Sequence, residues 1–91
     1  MLDIDLVIAG VQERQPDARC EQVAVKHPGA DDDGLWFFER GPEWNRVQVE
    51  TWNGMCPFLI ESYAVPSSRR CATVRETIDR VVSLLRIRAP A

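Results

Sequence analysis

Cys71 is the thiol best placed to react. It lies just before a helix signal and beside Arg69 and Arg70, and a helix N-terminus and neighbouring cations both lower a thiol pKa. Ser68, Arg69 and Arg70 at the same helix start could also hold a phosphate or carboxylate through side chains and free amides. Ser68, Arg69, Arg70 and Cys71 therefore form one candidate site, for a small anion or a redox-responsive thiol. Against catalysis there, a nucleophilic cysteine wants a base, and the only histidine, His27, precedes Pro28 in a distant loop. The phosphatase spacing also fails, because Thr77 stands where that motif needs arginine. A solvated linker and an ordinary cysteine are the simpler readings. Cys20 and Cys56 read as packing residues.

Asp31-Asp32-Asp33-Gly34 invites a calcium reading. With Gly34 set at the invariant glycine of an EF-hand loop, Asp31 and Asp33 fall at ligand positions. Gly29 and Arg40 then occupy the first and last positions, where carboxylates are needed. A solvated loop is the better account. One histidine and no cysteine cluster leave zinc without ligands. Without a glycine-rich phosphate loop, a Ser/His/Asp set or paired carboxylates, the expectation is a non-enzyme with no cofactor and no metal.

The bulk properties narrow the partners. Ninety-one residues make one domain, 1–91, and an apolar fraction of 45% with 27% charged residues suits a globular chain. A net charge of −3 argues against a nucleic-acid partner, which wants a basic footprint. It fits solubility, or a basic protein partner. No stretch is apolar enough to span a membrane, and Asp3 and Asp5 stand where a signal peptide needs cations. Three cysteines, none in a CxxC pair, favour a reducing compartment; the expectation is cytoplasmic.

The elements that would position these residues follow from hydrophobic period and punctuation. Residues 3 to 15 read as a helix, capped by Asp3 and ended by Pro16. Ile4, Val7, Ile8 and Val11 make its apolar stripe, with Gly10 a weak point. Arg19 to Lys26 alternates as a strand, with Glu21, Val23 and Val25 on one side. Leu35 to Arg40 and Arg46 to Trp52 are strands joined by Gly41-Pro42-Glu43. Asn53-Gly54 signals a hairpin into a fourth strand from Met55 to about Val65, where Pro66 stops it. Ser67 to Arg70 reads as a polar connection. Thr73-Val-Arg-Glu76 is a capping box for a last helix with Val74, Ile78, Val81, Val82 and Leu85 on one face. The fold class is α+β, a four-stranded antiparallel meander flanked by two helices, α-β-β-β-β-α.

A two-residue turn at Asn53-Gly54 sets Val49 opposite Phe58 and Val47 opposite Ile60. The preceding loop sets Trp36 opposite Val49 and Phe38 opposite Val47. These rows make a core face. The other face carries Leu35, Phe37 and Leu59, with Gln48 and Glu50 between them, Trp52 at the hairpin end and an Arg46–Glu61 charge pair. Pro57 sits awkwardly there: it cannot donate to the ladder, so it demands an edge position, a bulge or a four-residue loop. A type I turn with a Gly54 bulge would shift the register by one and swap the fourth strand's faces. Leu35, Phe37, Gln48, Trp52 and Leu59 are the candidate partner-binding residues, because exposed apolar patches with polar rims mark interaction surfaces. A helix on each face would instead bury this patch as a second small core. Trp44, at the far end of the third strand, is expected to lie outside it.

The run Asp32-Asp33-Gly34-Leu35-Trp36-Phe37-Phe38, with Val47-Gln48-Val49-Glu50-Thr51, Gly54-Met55-Cys56-Pro57-Phe58-Leu59-Ile60-Glu61 and Thr73-Val74-Arg75-Glu76, resembles a family of small bacterial proteins of unassigned function. The resemblance covers roughly residues 31 to 85 and implies a bacterial cytoplasmic protein, with no catalytic residues to carry over. The leading expectation is a protein-interaction module, a homodimer or the binder of a protein partner. An immunity-like inhibitor is one version, by analogy of size and charge.

Overall fold

The computed structural model describes residues 1–23 and 34–90. Val25, His27 and the Asp31–Asp33 loop lie outside the described residues. The chain runs α1 (Asp3–Arg14), β1 (Arg19–Val23), β2 (Gly34–Glu39), β3 (Val47–Thr51), β4 (Phe58–Ser62), β5 (Arg69–Cys71) and α2 (Val74–Leu85). All strand pairs are antiparallel, and strand order in the sheet follows chain order.

The expected meander is present, with five strands instead of four. The addition is β5, formed by residues read as a polar connection: Phe58 pairs with Cys71, Leu59 with Arg70 and Ile60 with Arg69. Only one of its three residues is buried, so it carries no alternation to detect.

Both helices contribute to one core with the inner face of the sheet. Ile4, Val7 and Val11 of α1 and Val81, Val82, Leu84 and Leu85 of α2 cluster with Trp36, Phe38, Val47, Val49, Phe58, Ile60 and Cys71. The two helices pack tightly at Gly10: a Cβ there would meet Ile78 Cδ1 at 2.3 Å. The glycine that weakens the helix signal is what lets α2 dock. Thr73 caps α2 as expected, its Oγ1 accepting from Glu76 N at 3.1 Å.

The cap of α1 differs from expectation. Leu2 is the N-cap residue, and Asp5 Oδ2 accepts from Leu2 N at 2.9 Å. Asp3 is the first helical residue, and its Oδ2 accepts from Cys56 N at 3.0 Å. Its carboxylate fastens the β3–β4 loop to the helix.

That loop corrects the hairpin. Residues 52–57 form the connection, β4 starts only at Phe58, and Pro57 lies outside the ladder. Thr51 Oγ1 donates to Met55 O at 2.7 Å, Met55 N donates to Asn53 Oδ1 at 3.0 Å, and Gly54 takes φ +79°. Ile4 N donates to Gly54 O at 2.9 Å, so the turn is held by α1 as well as by its own residues.

Val49 consequently faces Ile60 and Val47 faces Ser62, a slip of two residues from the two-residue-turn register. Side chains alternate with a period of two, so this slip leaves the faces of the residues within β3 and β4 intact, while Trp52 and Pro57 drop out of the sheet into the loop. The β2–β3 register is as expected, with Trp36 opposite Val49 and Phe38 opposite Val47.

Candidate functional site

The outer face of the sheet is assembled from three cross-strand rows. Arg19 faces Glu39, Glu39 neighbours Arg46 at 4.0 Å, and Tyr63 N donates to Arg46 O at 3.3 Å. The next row is Glu21–Phe37–Gln48–Glu61, and the third is Val23–Leu35–Glu50–Leu59–Arg70. Neither helix lies on this face, since the apolar stripes of both join the inner core.

Leu35, Phe37, Gln48 and Leu59 come together there, each half-buried. The two-residue slip moves Leu59 opposite Glu50 and puts Glu61 opposite Gln48. Arg46 therefore pairs with Glu39, not with Glu61 as the shorter turn implied. Trp52 does not belong to these rows: it sits in the 52–57 loop, 66% exposed.

A cavity of about 320 Å³ opens on the same face, lined by Phe37, Arg46, Gln48, Glu61, Ser62 and Tyr63. Arg46 stacks over Phe37 with its guanidinium carbon 4.1 Å from the ring centroid. A second hollow of similar size shares Arg46 and Tyr63 and continues past Glu39 to Pro42, Trp44 and Pro90. Trp44 stays outside the Leu35–Phe37–Leu59 patch and lines this second hollow.

Trp44 is fixed by its neighbours: Arg40 and Arg88 place guanidinium carbons 3.9 and 4.3 Å from its ring centroid. Arg40 in turn is anchored by Asp17 at 3.0 Å. The side-chain amide of Gln15, with Arg40, holds the Asp17 carboxyl below its ordinary value.

Sequence reasoning put Arg46 on this face only as the partner of Glu61, and left out Tyr63 and Trp44. The alternation of Arg46 with Gln48, and of Tyr63 with Glu61 and Leu59, was the available signal for Arg46 and Tyr63.

The Ser68–Cys71 set does not converge. Arg69 and Arg70 are consecutive in β5 and point to opposite faces, with Arg70 opposite Leu59 on the outer side. Cys71 turns into the core at 1% exposure. Burial pushes its thiol up, outweighing the attraction of Arg69, where the sequence implied a lowered value. Ser68 lines a hollow of about 330 Å³ with Pro66, Glu61 and Ser62, the last two shared with the outer-face cavity. Cys56 and Cys20 are likewise pushed up by burial, each to about 11.

Among the described residues no group of three or more His, Cys, Asp or Glu side chains could hold a metal ion, and no helix is long and apolar enough to cross a membrane. Comparison of the chain with protein-family models, with curated proteins and with solved structures returned no match.

Proposed function

We propose that this chain is a non-enzymatic protein-interaction module that engages a protein partner, or its own copy, through the outer sheet face. The observation that carries the reading is the composition of that face. The core is completed on the inner side, yet Leu35, Phe37 and Leu59 gather on the side that neither helix covers. The adjoining groove is lined by Phe37, Arg46 and Tyr63, and aromatic and arginine side chains are the types enriched at interface centres. Leu35, Phe37, Gln48 and Leu59 form the contact surface, with Arg46 and Tyr63 added to it. An immunity-like inhibitor is a specific version of this function, and a bacterial cytoplasmic setting belongs to the same reading.

The test is capture of a partner from the source cells, together with the oligomeric state of the purified chain, for the wild type and for Phe37→Glu. The reading expects association that Phe37→Glu abolishes while the far-ultraviolet circular dichroism stays native. Association unchanged by Phe37→Glu and by Leu59→Glu rules it out.

A further inference from the structure

Charge is unevenly placed on the outer face, and this bears on what binds there. Its ion pairing is concentrated in one row, where Glu39 lies 3.9 Å from Arg19 and 4.0 Å from Arg46. The central rows differ. Glu50 stands between Leu35 and Leu59, and Glu61 stands one strand from Gln48 and two from Phe37. Both glutamates are exposed, and neither forms an ion pair among the described residues. They occupy diagonal positions on β3 and β4, about 7 Å apart by sheet geometry. One cationic side chain laid across the strands can reach both.

Resting on the interaction-module reading, we infer that the occupant of this face is a basic segment of another protein, with arginine or lysine side chains between apolar ones. The apolar residues seat against Leu35, Phe37 and Leu59, and the cations meet Glu50 and Glu61. Arg70 ends the Leu35–Glu50–Leu59 row at the β5 edge, so the acidic ground for a basic occupant is the Glu50–Glu61 pair on β3 and β4 and not the face as a whole. The chain's net charge of −3 adds a favourable long-range field for a basic partner.

The experiment uses the full chain and two probe peptides, arginine–leucine–arginine–phenylalanine–arginine and its counterpart with glutamate in place of each arginine. Amide chemical shifts are followed by NMR during titration. The expected result is movement of the Leu35, Phe37, Gln48, Glu50, Leu59 and Glu61 signals with the cationic peptide only. Binding should weaken about tenfold in Glu50→Gln/Glu61→Gln, and again as salt rises from about 0.05 to about 0.5 M. Circular dichroism confirms that the double variant folds.

Equal affinity of the double variant, shifts confined to other surfaces, or no binding of the cationic peptide overturns the inference. Self-association through the face, abolished by Phe37→Glu, would also overturn it while leaving the interaction-module reading standing. A face that binds neither peptide, itself nor a cellular partner removes both.

Discussion

Arg46 lies over the ring of Phe37 at 4.1 Å, although it immediately precedes β3 and does not oppose Phe37 in the ladder. Phe37 faces Gln48 and Arg46 lies beside Glu39, so the stack is a diagonal across the β2–β3 pair. The guanidinium is held against the Phe37 ring while the side chain stays partly open to water. Its orientation is set before anything binds, which lowers the ordering cost at an interface.

A double-mutant cycle measures this stack. Phe37→Ala, Arg46→Ala and the pair, compared by urea unfolding, should give a coupling of about 0.5–1 kcal/mol. A coupling of zero would mean that the two side chains are independent in solution.

Asn45 is fully buried, and its polar groups join three parts of the chain. Its Nδ2 donates to Leu84 O at 3.1 Å, its Oδ1 accepts from Ala64 N at 2.9 Å and its backbone N donates to Ile87 O at 2.9 Å. Asn45→Ala strips a partner from the buried carbonyl of Leu84 and from the amide of Ala64. The expected loss is about 2–4 kcal/mol, read as a lower urea midpoint at unchanged slope.

Gly10 and Ile78 are coupled through space. Alanine in a helix interior is worth about 1 kcal/mol over glycine, but here its Cβ would collide with Ile78 Cδ1. Ile78→Ala removes the Cδ1, Cγ1 and Cγ2 atoms that a Cβ at Gly10 would meet. Gly10→Ala should therefore stabilise by about 1 kcal/mol in the Ile78→Ala background and by clearly less in the wild type. Equal gains in both backgrounds would show that the helices do not meet at Gly10.

The thiols give a pH dependence of definite sign. Burial raises Cys20 and Cys56 from 9.0 to about 11, so the folded state keeps protons that the unfolded state gives up. Their contribution is intact below pH 9.0 and is lost as pH rises toward about 11. Stability should fall across that window, less steeply in Cys20→Ala and Cys56→Ala. At neutral pH, Cys71 should alkylate more slowly than the two half-buried thiols, and denaturant should abolish the difference.

The face assignments were legible because they depend only on alternation. Trp36, Phe38, Val47, Val49, Phe58 and Ile60 all turn inward, and the longer β3–β4 loop keeps them there because its slip is an even number of residues. A one-residue shift would have turned Phe58 and Ile60 outward. The register was not legible, because it depends on contacts distant in sequence. Nothing near Asn53-Gly54 announces that Ile4 will bond the Gly54 carbonyl or that Asp3 will hold the Cys56 amide. β5 escaped for a similar reason: Arg69 and Arg70 carry no apolar signal, and Cys71 alone marks its inner side. For the candidate site, Leu35, Phe37, Gln48 and Leu59 follow from alternation, whereas Trp52 does not, since it belongs to the loop. Trp44 lines the second hollow through its stacking with Arg40 and Arg88, a tertiary arrangement with no local code.

An odd number of antiparallel strands between two helices makes those helices run the same way, where an even number would oppose them. Gly10 accordingly meets Ile78, and Gln15 meets Arg86, with both numbers rising together. The peptide dipoles of α1 and α2 lie side by side in the less favourable sense, and the Arg14–Asp79 ion pair bridges them. The same parity sends the two chain ends to opposite poles, the first residues beside Gly54 and the last beside Trp44.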